Sequence, residues 1–150
     1  GGGDVCRVHV ATLRFDCPVR SGDAREHSVE PSPTRDEMVF VREDEAGSVL
    51  LLAGLDGENQ RPLSGPPAVG TRDPVWSPDG ERGVFVRDNN LWLRERGADR
   101  DIQLTSDGVE HYGYGMETGN SMHAIIDMQN PKPHKPANLT WSPEANWLMA

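Results

Sequence analysis

Short apolar runs bounded by polar, turn-forming residues recur along the chain. Val39-Phe40-Val41 and Val84-Phe85-Val86 are β-branched and aromatic, with apolar residues at consecutive positions. That pattern predicts strands covered on both faces rather than strands with one wet face. Ser48-Val49-Leu50-Leu51-Leu52-Ala53 and Leu91-Trp92-Leu93-Arg94 read as the returning strands of hairpins. Asp88-Asn89-Asn90 supplies the tight turn of the second, because Asn tolerates positive φ. Glu43-Asp44-Glu45-Ala46-Gly47 predicts a looser connection in the first.

Each of these hairpins follows a Ser-Pro turn. Ser77-Pro78-Asp79-Gly80 combines a proline that presets φ, an aspartate that accepts local backbone hydrogen bonds and a glycine for the exit. Ser32-Pro33-Thr34-Arg35 precedes it, and Trp141-Ser142-Pro143-Glu144 follows. Ser32 and Ser77 stand 45 residues apart, a period expected of propeller blades. Arg61-Pro62-Leu63-Ser64 and Ile102-Gln103-Leu104-Thr105 fall at matching offsets and predict outer strands, where Pro62 is tolerable at an edge. The fold class is therefore all-β, a partial β-propeller of about two complete four-stranded blades with partial blades on either side. The expected units are residues 1–31 as N-terminal strands or part of a preceding blade, 32–76 as one blade, 77–141 as a second, and 142–150 as the start of a third. Val19 to Pro31 is polar and reads as turn-rich.

The second unit is longer than the first. Leu104 to Ser142 spans 38 residues where Leu63 to Ser77 spans 14, so 24 extra residues lie at roughly 107–137. Insertions between repeats map to loops on one face, often the binding face. Glu110, His111, Tyr112 and Tyr114 in this segment are the candidate substrate-binding residues, since Tyr and His offer apolar bodies with polar tips. A surface loop with one tyrosine packed on the sheet edge accounts for them equally well. Asn130-Pro131-Lys132-Pro133-His134-Lys135-Pro136 reads as an extended connector. Trp76 and Trp141 recur at one repeat position and are expected to pack between blades.

Composition narrows the function. Hydrophobic residues make up 35% of the 150, with 16 glycines besides, which fits a folded chain. The formal net charge of −9 supplies no basic face for phosphates, so nucleic-acid binding is set aside. The longest apolar run is far below the roughly 20 residues that span a bilayer. Cys6 and Cys17 lack metal-ligand spacing, and unpaired thiols are expected, with a disulfide across a hairpin as the alternative. His123 and His134 have no acidic or Cys partner at ligand spacing, so neither metal nor cofactor is expected. A closed propeller needs at least about four blades. The chain opens on Gly1-Gly2-Gly3 without Met and ends inside a strand that the other copies continue. It reads as a portion of a longer protein, whose unpaired edges would favour homo-oligomers.

Leu91-Trp92-Leu93-Arg94, Gln103-Leu104-Thr105-Ser106-Asp107-Gly108-Val109-Glu110, Tyr112-Gly113-Tyr114-Gly115 and Leu139-Thr140-Trp141-Ser142-Pro143 together resemble the N-terminal β-propeller of dipeptidyl peptidase IV-like proteins. These belong to the prolyl oligopeptidase family of serine peptidases. The resemblance spans about residues 73–150, with residues 32–64 fitting as the previous blade. It implies a propeller that restricts access to a cavity, peptide substrates, and a C-terminal α/β-hydrolase domain holding a Ser, Asp and His triad. This chain has no Gly-x-Ser-x-Gly elbow, so no catalytic residue is assigned within it. The family also uses two adjacent glutamates to hold a substrate's amino terminus. No adjacent Glu-Glu occurs here. A non-enzymatic TolB-type propeller that binds proteins is the rival reading, and the compartment, cytoplasmic, periplasmic or secreted, stays open.

Overall fold

The computed structural model describes residues 3–63, 65, 67–68, 70–110, 112–115 and 137–150. Within them every regular element is a strand, and no helix is long and apolar enough to cross a membrane. His111, most of the insertion and the Asn130–Pro136 connector lie outside the described residues, as does Ser64.

The chain begins with a hairpin of β1 (Val5–His9) and β2 (Arg14–Val19). Two four-stranded antiparallel meanders follow. The first runs β3 (Arg25–Pro31), β4 (Glu37–Asp44), β5 (Gly47–Gly54) and β6 (Arg61–Pro62). The second runs β7 (Arg72–Trp76), β8 (Arg82–Arg87), β9 (Asn90–Glu95) and β10 (Ile102–Gln103). A two-stranded sheet of β11 (Thr140–Trp141) and β12 (Leu148–Met149) closes the series. The architecture is that of a partial propeller.

Side-chain alternation explains why the central strands are apolar throughout. Met38 and Phe40 of β4 and Leu51 and Ala53 of β5 face the hairpin, where they meet Val5 and Val19. Val39, Val41, Leu50 and Leu52 face the other way and pack against Trp76 and Phe85 of the second sheet. Val84 and Val86 on the far side of β8 pack with Leu91 and Leu139, alongside Tyr114 and Trp141. Four layers thus share three cores, and removing any one would leave apolar surface in water, at about 25 cal/mol per Å².

The Ser-Pro turns are built alike. The backbone N–H of Ser32 bonds Glu37 O at 2.8 Å, that of Ser77 bonds Arg82 O at 2.7 Å, and that of Ser142 bonds Trp147 O at 2.8 Å. Ser77, fully buried, accepts the Arg82 N–H on its hydroxyl at 2.9 Å and lies 2.5 Å from Asp79 Oδ1. Gly80 has φ 71°, and a Cβ there would collide with Thr34 in the turn of the neighbouring sheet. Glycine suits both the dihedral and the contact, although Ala145 takes the same left-handed conformation (φ 57°) at the equivalent position of the third turn.

The expected tryptophan packing is also present. Trp76 donates its indole N–H to Glu30 O at 3.3 Å, and Trp141 donates to Val75 O at 3.4 Å. Each indole reaches the same repeat position of the preceding sheet's first strand. An arginine covers each ring, Arg96 over Trp76 at 5.1 Å and Arg82 over Trp141 at 5.5 Å.

Three expectations are corrected. Cys6 and Cys17 form a disulfide rather than free thiols, because β1 and β2 pair and bring their Cα atoms to 3.9 Å. Residues 25–31 form a strand and not a turn-rich segment. It pairs along β4, and Glu26 Oε1 accepts from Arg42 Nε at 2.8 Å. The β4–β5 connection is as tight as β8–β9, since Asp44 pairs with Gly47 and its carboxylate accepts the Ala46 N–H at 2.8 Å.

Candidate functional site

Asp88 and Asn89 form the two-residue turn between β8 and β9, both at positive φ (47° and 62°). Asn90 has a different task. It is buried in β9, where its amide oxygen accepts from the Gly108 N–H at 2.9 Å and the Thr105 hydroxyl at 3.2 Å. Thr105 in turn accepts the Leu91 N–H at 2.9 Å. A Cβ on Gly108 would strike the Asn89 carbonyl. The Asp-Asn-Asn and Thr-Ser-Asp-Gly phrases are therefore one hydrogen-bonded unit that fixes the start of the insertion.

This unit positions the candidate residues. Glu110 and Tyr112 sit on an exposed turn closed by Tyr112 N–H to Val109 O at 2.9 Å, and Tyr112 is 82% exposed. Tyr114 is half-buried against the third core and donates its hydroxyl to Asp107 Oδ1 at 2.9 Å. That hydrogen bond, with burial and the carboxylate's charge behind it, raises the phenol above its ordinary value. Glu110, Tyr112 and Tyr114 share a loop, but Tyr114 points into packing while Tyr112 points to water.

A more built arrangement lies between β3 and β7, the first and edge strands of their sheets. Each carries an irregularity in its pairing, between His27 and Glu30 in β3 and between Arg72 and Val75 in β7. Ser28 (φ 52°) and Asp73 (φ 51°) occupy these bulges in the left-handed region. Such backbone costs of order 1 kcal/mol or more for a side chain like Ser and persists when the surroundings over-determine it. The surroundings here are each other: Ser28 Oγ donates to Asp73 Oδ1 at 3.0 Å across 45 residues, one repeat period. His27 Nδ1 lies 2.9 Å from Ser28 Oγ, and its Nε2 lies 3.8 Å from Glu43 Oε2. Arg72 donates to Asp73 Oδ2 at 2.9 Å, both side chains being nearly buried.

These residues wall a cleft of about 600 Å³. Ser, His and Asp side chains meet there, but in an order that is wrong for nucleophilic catalysis. A triad needs the imidazole between hydroxyl and carboxylate, so that His removes the Ser proton and Asp orients His. Here the hydroxyl lies between, and its proton goes to Asp73. The arrangement is a polar binding wall. Among the described residues no three His, Cys, Asp or Glu side chains converge to hold a metal ion.

Sequence reasoning passed over Ser28 and Asp73. A signal was present, since each precedes the serine of its Ser-Pro turn by four residues, but without pairing the match has no visible meaning.

The family described as the dipeptidyl peptidase IV (DPP IV) N-terminal region matches residues 56–119, which include the whole second sheet. Probable dipeptidyl-aminopeptidase B of Aspergillus fumigatus is 31% identical over 96 residues, covering 59% of this chain and 10% of that protein. The protein of the same description from Neosartorya fischeri matches to the same extent, 31% over 96 residues. That of Colletotrichum graminicola is 48% identical over 43 residues, 28% of this chain and 5% of its own length. The chain spans about a tenth of the length of the first two relatives.

Proposed function

The chain carries part of the N-terminal region of a dipeptidyl peptidase IV-like protein, and from that premise we propose that it is the non-catalytic propeller portion of a serine peptidase. In this reading the blades gate and orient peptide substrates for a C-terminal α/β-hydrolase domain. The observation that carries it is the coincidence of the matched residues 56–119 with a blade whose first strand walls a polar cleft. Restricting access needs a rigid wall, and the cores on both faces of the two four-stranded sheets supply rigidity.

Glu110, His111, Tyr112 and Tyr114 belong to the proposal as the substrate-binding group on the insertion. Glu110 and Tyr112 are exposed, whereas Tyr114 would act by holding the loop through Asp107.

The test is a peptidase assay on the full-length product with peptide pairs that differ only in a free or blocked amino terminus. Hydrolysis abolished by a serine-directed inhibitor is the expected result, and preference for the free terminus would make the enzyme an aminopeptidase. No hydrolysis of either set by the folded protein would refute the peptidase reading.

A further inference from the structure

We propose that the cleft between β3 and β7 takes a basic side chain of a peptide, lysine or arginine, with Glu30 as its counter-charge. This rests on the peptide-handling role proposed above and names the chemistry of one subsite.

The cleft has a polar wall and an apolar one. Ser28 and Asp73 hold the polar wall through their mutual hydrogen bond, and Val29, Pro74, Val75 and Ala137 supply the apolar part of the lining. Val29 is a large apolar side chain left 41% exposed there. Most charges of the cleft are already engaged. Asp73 is paired with Arg72 at 2.9 Å, Glu43 stands 3.8 Å from His27, and Arg25 is exposed to solvent. Glu30 differs from them. It is half-buried and its carboxylate makes no ion pair or hydrogen bond among the described residues. Burial alone pushes its carboxyl above the ordinary value.

A half-buried carboxylate without a counter-charge favours a ligand that brings one. The apolar wall decides which cation. Lysine and arginine lay an aliphatic stem along apolar surface and carry the charge at its tip. A terminal ammonium has no such stem and would leave the exposed Val29 uncovered. The two bulges, tied across the sheets, keep the walls at fixed separation, so little ordering cost falls on binding.

The experiment is fluorescence anisotropy on the full-length protein, with labelled, amino-blocked peptides that differ only in one internal residue, lysine or norleucine. We expect the lysine peptide to bind about tenfold tighter, as for a hydrogen-bonded charge pair. Glu30→Gln should erase that difference while leaving the norleucine peptide unchanged. Equal affinity of the two peptides for the unmodified protein would overturn the proposal, as would equal weakening of both by Glu30→Gln. A norleucine peptide with a free amino terminus separates the sources: a Glu30-dependent gain for it, and none for internal lysine, would assign the cation to the terminus and refute the side-chain subsite. A glutamate in place of the lysine should bind the unmodified protein more weakly than norleucine, which tests the charge without any variant. Binding is read without turnover. Hydrolysis with no lysine preference sinks the subsite alone, and lysine preference without hydrolysis sinks the peptidase reading alone.

Discussion

Phe85→Ala should lower the stability of the protein by about 4 kcal/mol. Phe85 is 1% exposed and fills the contact between the two four-stranded sheets, against Val39, Val41, Leu50 and Leu52. Truncating a buried phenylalanine costs about 3–5 kcal/mol through lost transfer energy and the cavity left behind. The guanidinium of Arg87, 4.9 Å above the ring, adds about 0.5–1 kcal/mol. Native domains are stable by only about 5–15 kcal/mol, so the loss is a large fraction of the whole. Urea denaturation on the full-length protein is the assay, followed by tryptophan fluorescence because Trp76 and Trp92 pack in the same cluster. With a slope of about 2 kcal/mol per molar urea, the midpoint should fall by about 2 M. Phe15→Ala is the internal comparison: that side chain is 67% exposed, and its loss should stay within about 0.5 kcal/mol. A Phe85→Ala midpoint within error of the Phe15→Ala midpoint would refute the layered core. A tryptophan transition that separates from the loss of β-sheet circular dichroism would refute the coupling of the two sheets.

Two further outcomes follow from the geometry. The Cys6–Cys17 bridge closes a short loop, with a sequence separation of 11, and chain entropy predicts about 3 kcal/mol from it. The paired variant Cys6→Ser/Cys17→Ser should therefore melt lower than the oxidised protein, and identical melting with and without reductant would contradict the bridge. Asp79 titrates below the ordinary carboxylate range because the Ser77 hydroxyl, then the Glu81 N–H, bond its charged form. A depressed folded value stabilises above the unfolded pKa, and the contribution is lost as pH falls through the folded one. Asp79→Asn should accordingly flatten the acid limb of the stability profile below about pH 4, and an unchanged limb would remove Asp79 from that role.

What could be read without coordinates was what depends on near neighbours. Ser-Pro turns announce themselves because proline, aspartate and glycine act on their own few residues. Val39-Phe40-Val41 and Val84-Phe85-Val86 announce double burial because no wet face could hold them. The 45-residue spacing and the paired tryptophans followed from repetition alone, and with them the all-β, propeller-like class. Other features depended on a partner far along the chain. β3 is polar and became a strand only because β4 offered hydrogen bonds and Arg42 offered a charge for Glu26. The two cysteines met because a hairpin aligned them. Ser28 and Asp73 look like ordinary polar residues until their strands lie side by side, and the packing of Tyr114 on the second sheet shows only once the loop is in place. Local chemistry is written in short stretches of sequence, whereas a cleft is made by two edges, and only tertiary structure decides which edges meet.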